Sequence, residues 1–241
     1  MRFWHIAAPV VALLVSMNSF AAATVSGKVN FKGTPPAAKP IKMNADPNCM
    51  KLHAKAVMTD YVIVNKNGTL KNAFVYVKDG LTGKSFTAST TAVTFDQRGC
   101  QYAPHVFGMM VNQPLNILNS DPTLHNVHAM PKASKQFNAG MPVKDMKITR
   151  KFEKPEIMVP IKCDVHPWMK AYVGVLDHPY YSVTNDEGAF EIKDLPVGKY
   201  TVTAWHEKYG TKDMSITVEV GKPATIDFTF ESTGAEAAKA E

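Results

Sequence analysis

The chain has 241 residues, 45% hydrophobic and 20% charged, with a formal net charge of +6. That balance excludes a disordered or low-complexity chain. The positive charge is moderate and contains no arginine-rich run with interleaved aromatics, so nucleic acid is excluded as the expected partner.

Residues 1–23 carry the pattern of a secretory signal peptide: Arg2 in the n-region, an apolar stretch over 6–15, and Ala21-Ala22-Ala23 as a small-residue cleavage site. The stretch is too short and wrongly flanked for a transmembrane span, and no later segment is apolar for long enough to be one. The mature chain is therefore expected to begin near Thr24 and to be exported to a periplasm.

From there the pattern is all-β. Short runs rich in Val, Ile, Thr, Tyr and Phe recur between Gly, Pro, Asn and Asp punctuation. They predict strands at 25–31, 61–64, 73–77, 92–95, 107–111, 115–118, 125–130, 148–152, 157–162 and 171–176, then at 190–192, 200–205, 213–220 and 225–230. The segment GTPPAAKPIKMNADPNCMKLH (33–53) reads as a long irregular connection. No helical period is sustained; single turns are expected at most at 51–55 and 135–137. Residues 232–241 are small and polar, the composition of a frayed end.

The chain has three cysteines, an odd number, which leaves one unpaired in an oxidising compartment. Cys49 and Cys100 lie in loop-like contexts, whereas Cys163 sits beside His166 and Met169. The economical pairing joins Cys49 to Cys100 and leaves Cys163 free; the rival is two separate buried thiols.

Cys163, His166 and Met169 stand at C-x2-H-x2-M after an alternating run. By period two, Ile157, Val159, Ile161 and Cys163 share one face. Three of the four are aliphatic, so Cys163 is expected to point inward at the strand's rim. Upstream, NSDPTLHNVHAM (119–130) supplies two histidines three residues apart, which face opposite ways in a regular strand. His125 shares its face with Val127 and Ala129 and is the expected ligand; His128 is expected to be exposed or supporting.

Two imidazoles, a thiolate and a weak axial thioether describe a blue-copper electron-transfer site. Thiolate and thioether suit Cu(I), imidazoles suit both oxidation states, and a geometry between their preferences keeps reorganisation small. Zinc rarely takes a thioether. A Cys163–His166 nucleophile and base would need an oxyanion hole and an orienting group, and nothing nearby supplies them. His105 reads as a surface residue, with a minor copper contact as the rival. The stretch 130–154 holds seven Lys or Arg against two acids. It reads either as a solvated loop or as a docking face for an acidic redox partner.

H-N-V-H followed by C-x2-H-P-aromatic-M resembles the amicyanin and plastocyanin group of cupredoxins over roughly 92–176, the short loop being most similar to amicyanin. The resemblance implies a Greek-key β-sandwich with one type 1 copper per chain, held by His125, Cys163, His166 and Met169. It implies that the copper lies under a surface containing His166, that Asn126 ties the two ligand loops, and that Pro167 and Trp168 shape the Cys-His-Met loop. It further implies an electron carrier with no substrate chemistry, served by a redox protein such as a cytochrome c or a periplasmic dehydrogenase.

The stretch SVTNDEGAFEIKDLPVGKYTVTAWH (182–206) resembles the carboxypeptidase regulatory-like, transthyretin-like β-sandwich. Its first strands, G-x-V and A-x-V-x-V, match SGKVNF (26–31) and NAFVYVKD (72–79). The expected organisation is therefore a discontinuous sandwich from 24–85 and 179–231, with a cupredoxin domain inserted at 86–178. Two consecutive domains that break near 178 are the rival. Copper delivery, or a non-redox interaction module, are the competing functions.

Overall fold

The computed structural model describes residues 22–232. The expected signal peptide, save its last two residues, and the expected tail beyond Ser232 lie outside the described residues. The described chain is all-β, with one helix of five residues. In order come β1 (Ala22–Lys32), α1 (Pro47–Lys51), β2 (Phe74–Asp79), β3 (Val93–Gln97), β4 (Tyr102–Ala103), β5 (Val106–Met110), β6 (Leu115–Asn119) and β7 (His125–Ala129). There follow β8 (Phe137–Met141), β9 (Met146–Arg150), β10 (Glu156–Lys162), β11 (Lys170–Leu176), β12 (Tyr181–Val183) and β13 (Ala189–Pro196). The last are β14 (Gly198–His206), β15 (Gly210–Val218), β16 (Ala224–Thr225) and β17 (Phe228–Glu231).

Four sheets form two cores. β1 pairs with β13, β16 and β17, and faces the sheet β12-β2-β14-β15 across Val25, Val29, Val75, Val77, Ile192, Val202, Phe228 and Phe230. Between β2 and β12 the chain builds β4-β3-β6-β9 and β5-β11-β10-β7-β8, which enclose Phe95, Phe107, Met109, Ile117, Val127, Met141, Val159, Ile161 and Val173.

β2 explains how the two cores meet. Alternate residues of a strand point to opposite faces, yet Phe74, Val75, Tyr76 and Val77 are all buried. Val75 and Val77 enter the first core, while Phe74 and Tyr76 pack with Val106, Met158 and Leu176 of the second unit. Phe74 stacks on Tyr181 with ring centroids 5.6 Å apart. Gly174 and Gly108 lie beneath these two rings, where a Cβ would collide with Phe74 or Tyr181.

Several local expectations change. Ile157 is 37% exposed rather than inward. The register of β10 against β11 shifts between Glu156 and Val159, and Met158 has φ +59°. This bulge inserts one residue and flips the phase, so the inward face starts at Val159 and runs through Ile161 to Cys163. The helical turn falls at 47–51, not 51–55, because Asp46 caps it and Pro47 occupies its first position. Residues 61–64 hold only a single bridge, Val64 to Leu70. Phe137 opens the short strand β8 instead of a turn.

Residues 40–58 form an arm rather than a slack connection. Its ends are bridged by Pro40 and Met58, and the Ile41 N–H donates to Val57 O at 2.8 Å. Met43 and Cys49 are buried in the second core, among Phe95, Tyr102 and Cys163.

Candidate metal centre

Cys163 directly follows β10, and Met169 directly precedes β11. The Cys163 N–H donates to Met169 O at 3.1 Å, and the Met169 N–H to His166 O at 2.9 Å, which closes the loop. His125 opens β7, the strand beside β10, where Lys162 pairs with His128. The approach to His125 is set by Asn119. Its Oδ1 accepts the Asp121 N–H in an Asx turn, and its Nδ2 donates to Thr123 O and Met141 O.

These elements bring three expected ligands together. His125 is fully buried, and Cys163 and His166 are 2% exposed. The two imidazoles approach through Nδ1 at 2.9 Å, and Cys163 Sγ lies 3.9 Å from His166 Nδ1. One donor atom from each of the three falls within 4.8 Å of the others. Met169 is buried in the same core cluster, tied through its backbone to both Cys163 and His166.

The outer nitrogens show what the inner ones are for. His125 Nε2 lies 2.9 Å from Asp121 Oδ2, and His166 Nε2 lies 3.1 Å from Asp46 Oδ2. A carboxylate only accepts, so each neutral imidazole carries its proton on Nε2. Two bare Nδ1 lone pairs and a sulfur then converge in a buried space. Such a set is strongly unfavourable without a cation, and it fits a soft or borderline metal ion. Burial opposes a Cys163 thiolate, but the polar contact with His125 and the nearby backbone N–H groups outweigh it and pull the thiol below its ordinary range. Burial likewise opposes ionised Asp121, but His125 and the Cys100 and Gly99 N–H groups hold it below the usual carboxylate range. Burial lowers His166 despite Asp46, whereas the Asp121 contact offsets burial at His125 and raises it.

Asn126 joins the two ligand segments: its Oδ1 accepts the Asp164 N–H at 2.7 Å and lies 3.3 Å from Cys163 Sγ. The Tyr102 hydroxyl donates to Asn126 O at 2.5 Å. Trp168 packs at a tilt against His166 with centroids 5.0 Å apart, and its Nε1–H donates to Cys100 O at 2.9 Å. Pro167 is exposed at the loop tip. His128 is partly exposed and bonds Asp164 at 3.0 Å. His105 is not at the surface: it is nearly buried and bridges Glu207 and Asp60.

Cys49 and Cys100 are disulfide-bonded and Cys163 is free, the pairing that the cysteine count favoured. Two features at the site were not expected. The disulfide does more than staple a loop, because Cys49 Sγ sits 3.6 Å from His166 Nε2. His166 does not reach a surface, because the arm covers it. Asp46 and Asp121 had no signal beyond an N-capping Asp-Pro and a polar turn.

A carboxypeptidase regulatory-like domain model matches residues 166–231. Comparison with the curated proteins returns no match. Among solved structures, the chain is similar to a Cu-containing nitrite reductase from Thermus scotoductus SA-01 at 17% identity, over 42% of this chain and 26% of that one, with a TM-score of 0.35. The chain thus spans about a quarter of that enzyme's length. It is similar to a purple cupredoxin from Nitrosopumilus maritimus at 19% identity, over 34% of this chain and 98% of that one, with a TM-score of 0.30. An oxidized amicyanin point mutant matches at 18% identity over 42% of this chain and 97% of that one, with a TM-score of 0.32.

Proposed function

We propose that the protein is a periplasmic electron carrier built around one type 1 copper. His125, Cys163 and His166 would hold the metal, and Met169 would add a weak thioether donor. The observation that carries this reading is the convergence of the two Nδ1 atoms and the Cys163 sulfur in one buried space. When bound, copper supplies a one-electron Cu(II)/Cu(I) couple.

The chain's own residues do the rest. Strands β7 and β10 fix two ligands on neighbouring backbones, and rigid ligands keep the reorganisation on electron transfer small. Asn126 holds the ligand loops in register, while Tyr102, Trp168 and the arm keep water out. The closed site favours retention over release, which sets electron carriage above copper delivery. In this reading the protein carries electrons and has no substrate chemistry of its own. Partners would be redox proteins such as a cytochrome c or a periplasmic dehydrogenase. Among the described residues no helix is long and apolar enough to cross a membrane.

The same reading divides the chain into a regulatory-like sandwich from 24–85 and 179–231 and a cupredoxin domain at 86–178. Shared sheets between β1, β2 and β12 to β17 support the division. The arm would be a loan from the first unit to the second.

Purified protein mixed with Cu(II) should turn intensely blue at one copper per chain, and Cys163→Ser should abolish the colour. A colourless wild-type product would overturn the reading.

A further inference from the structure

We propose that Asp46 and Asp121 form a carboxylate clamp on the outer nitrogens of the two ligand imidazoles, locked by the Cys49–Cys100 disulfide. Asp46, supplied by the arm, is the positioning residue that sets the copper's oxidation-state preference. This inference rests on the copper reading above.

The clamp is built from both sides. Asp46 uses its two oxygens separately: Oδ1 accepts the Asn48 N–H at 2.8 Å and caps α1, while Oδ2 accepts from the Thr123 hydroxyl at 2.9 Å and meets His166 Nε2. Asp121 is held by the Gly99 and Cys100 N–H groups, both at 2.7 Å, and meets His125 Nε2. One cysteine lies three residues after Asp46, and the other donates its own N–H to Asp121. A single covalent bond therefore connects the supports of both carboxylates. Trp168 adds a third tie, from the ligand loop to Cys100 O.

A carboxylate on the far nitrogen fixes the tautomer and ring orientation of a ligating histidine and raises its basicity. A more basic imidazole and a nearby negative charge favour Cu(II) over Cu(I), because the site charge is one unit more positive in the oxidised state. The two carboxylates differ in origin. Asp121 lies in the turn before β7, within the second unit's own sequence, whereas Asp46 arrives on the arm. Loss of the arm's anchorage would release His166 and leave His125 clamped.

The test uses the full chain. Asp46→Asn keeps a capping oxygen and the side chain's size but removes its charge. Cu(II) and Cu(I) affinities are measured by chelator competition, beside the visible spectrum. The Cu(II) affinity should fall about 10–100-fold and the Cu(I) affinity by less. The reduction potential should then rise by about 59 mV for each tenfold change in their ratio, with the absorption bands unmoved. A ratio equal to wild type overturns the clamp and leaves the copper reading standing. Wild-type protein that takes up no copper overturns both.

A second measurement needs no metal. Carbethoxylation by diethyl pyrocarbonate, mapped by mass spectrometry on the metal-free protein, should spare His166 in wild type and modify it in Cys49→Ser/Cys100→Ser. His206, buried in the other core, should stay unmodified in both and so report an intact fold. Modification of His166 at equal rates in the two proteins overturns the arm's role. If the double variant loses His206 protection, Asp46→Ala takes its place under the same criterion.

Discussion

The Asn126 side-chain oxygen accepts the Asp164 N–H at 2.7 Å and lies 3.3 Å from Cys163 Sγ, so one side chain holds the two segments that carry His125 and Cys163. Its Nδ2 donates to Asn138 Oδ1 and Asp164 Oδ2, which extends the tie to β8. Asn126→Ala leaves the partly buried Asp164 N–H without its acceptor. We expect metal-free stability to fall by about 1–3 kcal/mol and Cu(II) affinity by about 10–100-fold. Denaturant unfolding and copper competition on the same variant check the two values. An unchanged affinity would show that the loops hold their register without it.

The seam between the two cores is the second point of leverage. A Cβ at Gly174 would meet the Phe74 ring and the Met158 methyl group. Phe74 is fully buried and stacked on Tyr181, so it has little room to retreat. Gly174→Ala should therefore overpack the seam at a cost of about 1–3 kcal/mol, seen as a melting temperature lowered by about 2–10 °C. The copper spectrum should not change, because β11 meets Phe74 on the face away from the ligands.

The basic stretch is two edge strands and their turns rather than a plain loop. Lys144, Lys147 and Arg150 stand exposed on or beside β9. A concentration of one charge raises encounter rates with the opposite charge and is screened within about 10 Å at 0.1 M salt. Oxidation of the reduced protein by an anionic hexacyanoferrate should slow as ionic strength rises, and oxidation by a cationic cobalt complex should not. Lys144→Glu/Lys147→Glu should flatten the first dependence. Equal salt slopes in variant and wild type would move the docking face elsewhere.

Strand positions were legible because alternation of apolar residues reports burial on one face. The failures came where a local device broke the alternation. The bulge at Met158 reverses the phase of β10 at its start, and nothing in EIMVPIK marks it. β2 reads as a buried strand, but its sequence does not say that Phe74 and Tyr76 serve a different core from Val75 and Val77. At the metal centre, residue chemistry and spacing brought Cys163, His166 and His125 into consideration. The carboxylates were illegible for a physical reason. Asp46 is separated from His166 by 120 residues and Asp121 from His125 by four, and neither lies on a strand whose phase would aim it. A disulfide inferred from counting gave no hint that it would lie against a ligand.

The link between the units predicts a pH dependence with a definite sign. His105, just before β5, is nearly buried between Glu207, which follows β14, and Asp60 at the end of the arm's return. Burial lowers its affinity for a proton, but the hydrogen bond and charge of Glu207, the charge of Asp60 and a backbone bond to Lys170 outweigh it and raise its value. The other groups that face it are His206 and Tyr172. A histidine whose folded value is raised stabilises the fold fully below its unfolded value of about 6.5 and loses that contribution as pH rises through the folded value. His206 acts in the opposite sense: burial, then repulsion from His105, hold it down to about 4. Its contribution is lost as pH falls from about 6.5 toward that value, because the unfolded chain takes up the proton first. Melting temperature should therefore decline on both sides of about pH 6.5. His105→Gln should make the alkaline limb shallower and, by removing the repulsion on His206, soften the acid limb slightly as well, whereas His206→Phe should make the acid limb shallower and leave the alkaline limb in place. An alkaline limb that persists in His105→Gln would assign it to another group.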